Sequence, residues 1–471
     1  MLLKFFYDEK LAQASYLVGC QATGEAIVID PSRDIKPYLE TATKEGVRIV
    51  AATETHIHAD FVSGARDLAA QAGVKLYLSD EGGEGWKYQF MDQYPSQKLK
   101  DGDKFSIGNI HFEVMHTPGH TPEHISFLFT DGGSKATAPL GIFTGDFVFV
   151  GDVGRPDLLE KAAGEQGTSE ELARLMFRSL RKFKELPDFI QVLPAHGAGS
   201  ACGKALGAVP FSTVGYEKLV NWALQYNDEE EFVQNLLSGQ PEAPKYFAMM
   251  KKLNKEGPAL LSHVEQPVTA PVDVEIVSNW VKEGIVVDTR PSKPFAEHHI
   301  AGTINIPWNK SFVNWAGWLL SYDIPIYVLA GEDHVAEIAR TLQSIGLDKL
   351  AGTMNPCVVD LVGSDDQAYD YVTIQEAREA IQRGEVYVLD VRNSNEWANG
   401  HIAEAHHIML GQLPERLGDL PTDKPILVHC RSGGRSAIAA SILQANGVNK
   451  VLNLLGGYDE WTKRSQDFQV R

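Results

Sequence analysis

The run Val286-Val287-Asp288-Thr289-Arg290 returns as Val388-Leu389-Asp390-Val391-Arg392. Phe295 and His299-Ile300-Ala301 return at the same interval as Trp397 and His401-Ile402-Ala403. A third echo joins Pro325-Ile326-Tyr327-Val328-Leu329 to Pro425-Ile426-Leu427-Val428-His429. A period of roughly 100 residues is too long for a solenoid unit, which repeats every 20–50 residues or so. The C-terminal half therefore reads as one domain present twice.

The N-terminal half follows another pattern. Glu25–Asp30 and Arg48–Thr53 are short apolar runs rich in β-branched residues, and 109–115 alternates like a half-buried strand. Residues 126–130 and 141–150 are further strand candidates, while 64–72 and 170–183 carry helical spacing. Strands interleaved with helices suggest layered α/β packing. From Tyr216 to Leu253 the pattern turns helical, and Pro258, Pro267 and Pro271 then punctuate a weakly periodic stretch. The boundaries expected are residues 1–253, a linker over 254–271, a first repeat copy over 272–362 and a second over 370–471. The length of 471 residues agrees with about three domains.

Composition removes several classes. The net charge of −19 argues against non-specific nucleic-acid binding and against a polybasic membrane footprint. No run approaches the ~20 apolar residues of a membrane span. The apolar start of the chain is cut short by Asp8, Glu9 and Lys10, so a cytoplasmic location is expected. Cys20, Cys202, Cys357 and Cys430 stand far apart and form no disulfide framework, which suits a reducing compartment.

The histidines cluster. His56-Ile57-His58-Ala59-Asp60 follows a strand, His116, His120 and His124 surround a TPGHTP turn, Asp146 ends TGD, and His196 sits in PAHG. Side chains at strand ends and turns can converge on one cavity, and His with Asp is a metal-binding combination. His111, His116 and His124 taken singly read as solvated or core histidines. The ordered set HxHxD, GHT, TGD and AHG resembles the metallo-β-lactamase superfamily over residues 1–250. It departs where the family commonly has HxHxDH, because Phe61 stands at the last position and cannot ligate a second metal. In the persulfide dioxygenase branch the resemblance implies His56, His120 and Asp146 as ligands of one Fe(II), with zinc as the alternative. Two imidazoles and a carboxylate leave open positions for O2 and substrate. His58, Asp60 and His196 are then expected around these ligands, as orienting groups or alternative ligands. The loop GDVGRPD resembles the GRxD stretch of the same branch, which would set Arg155 against an anionic persulfide; the alternative is a tight surface turn. Cys202, six residues past His196, is either a thiol near the metal that receives or relays sulfur, or inert. Cys20 reads as inert.

A strand over 426–429 delivers Cys430, followed by Arg431-Ser432-Gly433-Gly434-Arg435 and a helix expected over 436–445. A cysteine between a strand end and a helix N-terminus meets inward-pointing N–H groups and positive potential, which favour a thiolate or a persulfide anion. Arg431 and Arg435 are expected to add charge for an anionic sulfur substrate, and Ser432, Gly433 and Gly434 to form the anion cradle. With Asp390-Val391-Arg392, Trp397, His401-Ile402 and the closing LLGGYDEW, this segment resembles the rhodanese family over 370–471. A six-residue loop from Cys430 to Arg435 is similar to sulfurtransferases rather than to the phosphatase and arsenate reductase relatives with seven. Glu404 departs from a frequent Gly. In the first copy Ala330 replaces the cysteine and Gly331-Glu332-Asp333-His334-Val335 replaces the cradle, so residues 272–362 resemble a rhodanese without its chemistry. His298 and His299 read as structural, and Cys357 as a small buried residue.

The combined resemblance implies an α/β multidomain protein with an αββα metallo-β-lactamase fold followed by two rhodanese-like domains. It implies a persulfide dioxygenase fused to a sulfurtransferase. Its small-molecule partners would be a thiol persulfide, O2, and sulfite or thiosulfate, with no nucleic acid or membrane, in a homo-oligomer. Two alternatives stay open: a glyoxalase II-like zinc thioester hydrolase with an accessory sulfurtransferase, and a non-catalytic sulfur carrier or sensor.

Overall fold

The computed structural model describes residues 1–134, 137–158, 160, 167–204, 206–362, 366–448 and 450–469. The chain divides into two compact units, Met1–Val264 with Gln343–Gly346, and Glu265–Leu342 with Leu347–Arg471.

The first unit holds two six-stranded sheets. One runs in sequence order through Leu2–Asp8, Gln13–Cys20, Glu25–Ile29, Arg48–Thr53, Lys75–Ser79 and Ser96–Leu99. The other, in spatial order, is Ser212–Thr213, Gln191–Pro194, Gly141–Gly145, Ile125–Asp131, Ile110–His116 and Lys104–Ile107. Their inner faces meet in one core, where Tyr16, Val18, Ile27 and Ile29 of the first sheet pack with Phe112, Val114, Phe127 and Phe143 of the second. Strand Ile110–His116 buries Ile110, Phe112 and Val114 and exposes His111 and Glu113, the period-two pattern of a sheet with one wet face. Strand Gln13–Cys20 is buried throughout because helices cover its other face. There Leu17 packs with Tyr38 and Ala42 of helix Lys36–Glu45 and with Ala65 and Leu68 of helix Ala65–Ala72.

Helix Thr168–Lys184 buries Leu172, Ala173, Met176, Leu180 and Phe183, an i, i+3/i+4 stripe, against Ile142 and Val192 of the second sheet. The result is a four-layered αββα sandwich, each amphipathic element burying one face on the next.

Three local expectations need revision. The apolar run 141–150 is a strand only to Gly145. Gly145 has φ 52°, and a Cβ there would come within 2.6 Å of His124 Nε2, so a glycine is required for the turn into Asp146. The stretch after Tyr216 is not one helix; it is broken into Val214–Val220, a 3-10 turn at Trp222–Gln225, Glu229–Leu237 and Tyr246–Glu256. The linker expected over 254–271 begins too early. Asn254 lies in helix Tyr246–Glu256 and is buried; its Oδ1 accepts from Ser63 N (2.9 Å), and its Nδ2 donates to His58 O (2.8 Å) and Phe61 O (2.7 Å). One side-chain amide thus satisfies three main-chain groups of the histidine loop.

The second unit holds two five-stranded sheets of equal topology. In spatial order they are Val268–Thr269, Leu350–Met354, Ile326–Leu329, Ile285–Asp288, Ile304–Asn305 and Asp370–Val372, Val451–Leu454, Ile426–His429, Tyr387–Asp390, Ala405–His407. Every pairing within both is parallel. The duplication reaches individual atoms. Arg290 Nε donates to Asp288 and its Nη2 to His298 O, while Arg392 Nε donates to Asp390 and its Nη2 to Gly400 O. Phe295 stacks on His299 at 3.9 Å and Trp397 on His401 at 3.6 Å between ring centroids. Phe295 and Ala296 of the first copy also enter the core around Leu389, Val391 and Val428. Among the described residues no helix is long and apolar enough to cross a membrane.

Leaving three buried main-chain groups unpaired costs about 1–3 kcal/mol per group. Asn254→Leu is therefore expected to destabilise the histidine loop and to accelerate amide hydrogen exchange across residues 56–63. Exchange there equal to that of the unmutated chain would show the amide to be dispensable.

Candidate metal centre and cysteine loop

His56, His120 and Asp146 converge, each offering one ligand atom within 4.8 Å of the others. His120 Nε2 lies 3.5 Å and His56 Nε2 3.9 Å from Asp146 Oδ2, and all three side chains are buried. Among the described residues His56 Nε2 and Asp146 Oδ2 have no hydrogen-bond partner. Buried polar atoms are almost always paired, so two orphans facing each other fit a bound cation.

The surrounding hydrogen bonds fix the tautomers. Thr55 Oγ1 donates to Asp30 (3.0 Å to Oδ2), so it accepts from His56 Nδ1–H at 3.0 Å. His120 Nδ1 donates to Arg155 O at 3.0 Å. Each ring thereby turns an Nε2 lone pair inward. Asp146 N donates to His124 Nε2 at 3.1 Å, which leaves the His124 proton on Nδ1, donated to Thr117 Oγ1 at 2.9 Å.

His196 joins two carboxylates: its Nδ1 is 2.6 Å from Asp146 Oδ1 and its Nε2 2.6 Å from Asp60 Oδ2. Burial pushes the His196 ring down, but Asp146 and Asp60 outweigh it and hold the ring well above the usual imidazole range. Burial likewise opposes the Asp146 charge, and His196 overcomes it, keeping that carboxyl well below the usual range. With Oδ1 engaged, Oδ2 is the atom left for a metal.

His58 stands outside the convergent set. Its Nε2 meets Asp30 Oδ1 at 3.0 Å, and its ring packs on the buried Phe61 at 4.4 Å between centroids. Asp60, His196 and Cys202 form a neighbouring group, also within 4.8 Å. The Cys202 thiol is buried, and burial together with Asp60 and Asp146 raises it well above the usual thiol range. Cys20 lies instead in the core between the sheets, its Sγ accepting from Asn109 N. Cys357 is exposed rather than buried, because it lies at the start of the short 3-10 turn Pro356–Leu361, where its N–H donates to Asn355 Oδ1.

Arg155 does not meet the expectation of a substrate-binding group. It is fully buried, its Nε and Nη2 each donate to Asp157 at 2.7 Å, and Nη2 also donates to Pro241 O. The GRPD sequence is a clamp whose carbonyl orients His120. Sequence reasoning missed the supporting roles of His124, Thr55 and Asp30. The signals were local: His124 closes GHTPEH, and Asp30 ends a strand whose parallel neighbour ends at Thr53, with Ile29 opposite Thr53. Asp30 also has φ 50°, uncommon without glycine and characteristic of functional sites.

At the other site, strand Ile426–His429 ends on the buried Cys430. Gly433 N donates to Cys430 Sγ at 3.1 Å, and the helix starts at Gly434, two residues earlier than expected. Ser432 and Gly434 are exposed beside it. The LLGGYDEW segment closes the loop from behind: Tyr458 N donates to Cys430 O (2.8 Å) and Asp459 N to Arg431 O (3.0 Å). Gly457, at φ 59°, permits this approach, since a Cβ would fall 2.6 Å from both carbonyl oxygens. The two loop arginines are not free charges. Arg431 Nε pairs with Asp459 at 3.2 Å, and Arg435 makes a two-point pair with Glu396 at 2.5 and 2.8 Å.

A four-layered αββα sandwich with buried histidines and aspartates at its strand ends, followed by a cysteine loop in a parallel sheet, defines a metallo-β-lactamase-fold protein with a rhodanese-like domain. The model of the metallo-beta-lactamase superfamily matches residues 9–196, and that of the rhodanese-like domain matches 373–464. The chain is similar to a metallo-beta-lactamase of Staphylococcus aureus subsp. aureus COL known from its crystal structure, with 45% identity and a TM-score of 0.68, covering 76% of this chain and 99% of that one. It belongs to the metallo-β-lactamase superfamily.

Two curated relatives carry different activities in their names. A hydroxyacylglutathione hydrolase of Gloeobacter violaceus is 34% identical over 38% of this chain and 62% of its own length. The mitochondrial persulfide dioxygenase ETHE1 of Bos taurus is 27% identical over 49% of this chain and 78% of its own. The chain thus spans 60–62% of the length of the first three hydrolase relatives.

Groups that hold a ligand in place typically contribute 10–100-fold to metal affinity. His124→Ala is expected to weaken metal binding by roughly that factor, measured by chelator competition on the purified chain. Affinity equal to that of the unmutated chain would remove His124 from the centre.

Proposed function

We propose that the first unit oxidises the terminal sulfur of a low-molecular-weight thiol persulfide at a single Fe(II), and that Cys430 then transfers sulfane sulfur to the sulfite produced. The observation that carries this reading is the three-ligand set, with His58 turned to Asp30 and Phe61 packed on it where a second metal ligand would be expected. Two imidazoles and one carboxylate suit an iron with open positions. The name of the Bos taurus relative and the cysteine loop in the same chain support it.

The overall step balances as RSSH + O2 + H2O giving RSH, sulfite and two protons. Bound Fe(II) supplies the one-electron chemistry by which O2 reacts with a sulfur donor. The chain's own residues hold and orient. Thr55 and the Arg155 carbonyl fix the rings of His56 and His120. His196, held between Asp60 and Asp146, leaves one Asp146 oxygen facing the centre. In the transfer step the Cys430 thiolate attacks the outer sulfur of a second thiol persulfide, whose S–S bond breaks with the thiol leaving. Sulfite then attacks the outer sulfur of the Cys430 persulfide; the S–S bond to Cys430 breaks, thiosulfate leaves, and the Cys430 thiolate is restored. Gly433 N–H is placed to stabilise that thiolate. One chain carrying both sites raises the effective concentration of the shared intermediate. Residues 272–362 are read as a rhodanese-like copy with a structural or docking role, since Ala330 occupies the position of the cysteine.

The rival reading is a zinc thioester hydrolase; the Gloeobacter violaceus relative is named a hydroxyacylglutathione hydrolase. Metal analysis combined with oxygen uptake separates the two. One iron per chain with persulfide-dependent O2 consumption is expected; two zincs and thioester hydrolysis would sink the proposal. Cys430→Ser is expected to keep O2 uptake while the product shifts from thiosulfate to sulfite. An unaltered thiosulfate yield would refute the role of Cys430.

A further inference from the structure

The Cys430 loop is electrostatically balanced by the residues beside it. Arg435, the second residue of helix Gly434–Ala445, is mostly buried, and both its terminal nitrogens are taken by Glu396. Nη1 also donates to Asn393 Oδ1 at 3.3 Å. Glu396 is itself locked from the other side, since its Oε2 accepts Asn393 N–H at 3.1 Å, capping helix Ser394–Ala398. Arg431 is paired with Asp459, and Arg392 with Asp390. Each of these cations thus has a carboxylate partner, and the Glu396–Arg435 pair is the more enclosed of the two at the loop: its side chains are 29% and 18% exposed, against 47% and 68% for Asp459 and Arg431.

We propose that Glu396 is a specificity-determining residue of the Cys430 site, cancelling the charge of Arg435 so that compact dianions such as thiosulfate bind weakly while persulfide donors of lower charge are admitted. The inference rests on the sulfurtransferase reading of Cys430. A dianion entering the loop meets backbone N–H groups and a neutral ion pair rather than a free guanidinium. Neutralising the carboxylate removes a repulsion that scales inversely with distance and is only partly screened near a half-buried pair. A thiosulfate product formed at the loop is therefore released rather than retained.

The test uses the full chain with thiosulfate as sulfur donor and cyanide as acceptor. Cys430 thiolate attacks the outer sulfur of thiosulfate, the S–S bond breaks and sulfite leaves with the electron pair. Cyanide then takes the sulfur as thiocyanate and restores the thiolate. Glu396→Gln keeps an oxygen for the Asn393 cap but removes the charge. Its KM for thiosulfate is expected to fall on the order of tenfold at low salt, and to rise again with ionic strength more steeply than that of the unmutated chain. The KM for cysteine persulfide, a donor of lower charge, is expected to fall less. Glu396→Asp, which keeps the charge, is expected to retain the high thiosulfate KM. If thiosulfate turns over with the same KM and salt dependence in Glu396→Gln, the inference fails and the sulfurtransferase reading stands. If the unmutated chain forms no thiocyanate from cysteine persulfide and cyanide, both fail.

Discussion

A single imidazole held between two buried carboxylates organises the first unit. Asp60 and Asp146 are both removed from water, and each buried charge costs several kcal/mol unless it is paired. His196 pairs with both at 2.6 Å. It supplies the compensating proton, and its two ring nitrogens dictate how the carboxylates turn. The geometry follows from topology. Strands Gly141–Gly145 and Gln191–Pro194 run parallel with Gly145 opposite Pro194, so the residues just beyond both ends emerge side by side. On the other sheet, Ile29 lies opposite Thr53, which brings Asp30 to Thr55 and so to His56. Both halves of the sandwich therefore deliver polar side chains from the ends of parallel strands to one cavity, while the strand interiors stay apolar.

The ligand candidates were legible because their motifs lie in turns, where a side chain is kept for chemistry more often than for packing. Layered α/β packing was legible from strand alternation and helix periodicity at the strongest segments, such as 109–115 and 170–183, whereas the four-layered order was implied by the family resemblance. What could not be read was which neighbour satisfies each polar group. Arg155 looked like a substrate cation because its loop resembles the GRxD stretch of the dioxygenase branch; only the folded loop brings Asp157 and Pro241 O onto its guanidinium. Asn254 looked like the start of a linker because local periodicity ends there, yet its partners are about 190 residues away at Ser63, His58 and Phe61. Pairings this distant leave no mark in a local pattern.

The duplicated unit separates scaffold from chemistry. Both copies keep the Asp–Arg clamp on a downstream carbonyl and the ring stacked on a histidine one helical turn later. Those contacts pin the loop after the second strand of the α/β unit to its neighbour, so their loss would loosen the sheet edge in either copy. The cysteine and its glycine-rich cradle occur in one copy only, and Ala330, buried at the strand end, costs the fold nothing. Retention of the clamp where the cysteine is absent means that the clamp is explained by stability alone. It cannot be counted as part of sulfur chemistry in the second copy merely because it adjoins Cys430.

The same reasoning applies to charge. The chain carries −19, and the arginines of the cysteine loop seemed the natural means of drawing an anion against that field. Each is instead matched by a carboxylate from another segment, Asp459 for Arg431 and Glu396 for Arg435. Electrostatic attraction at this loop must then come from fixed dipoles: the Gly433 N–H on Cys430 Sγ and the N-terminus of helix Gly434–Ala445. Dipoles act over shorter distances than net charges. A site built from them acts on an atom at the Cys430 thiol more selectively than it attracts anions from solution, which fits the proposed transfer of sulfur through Cys430.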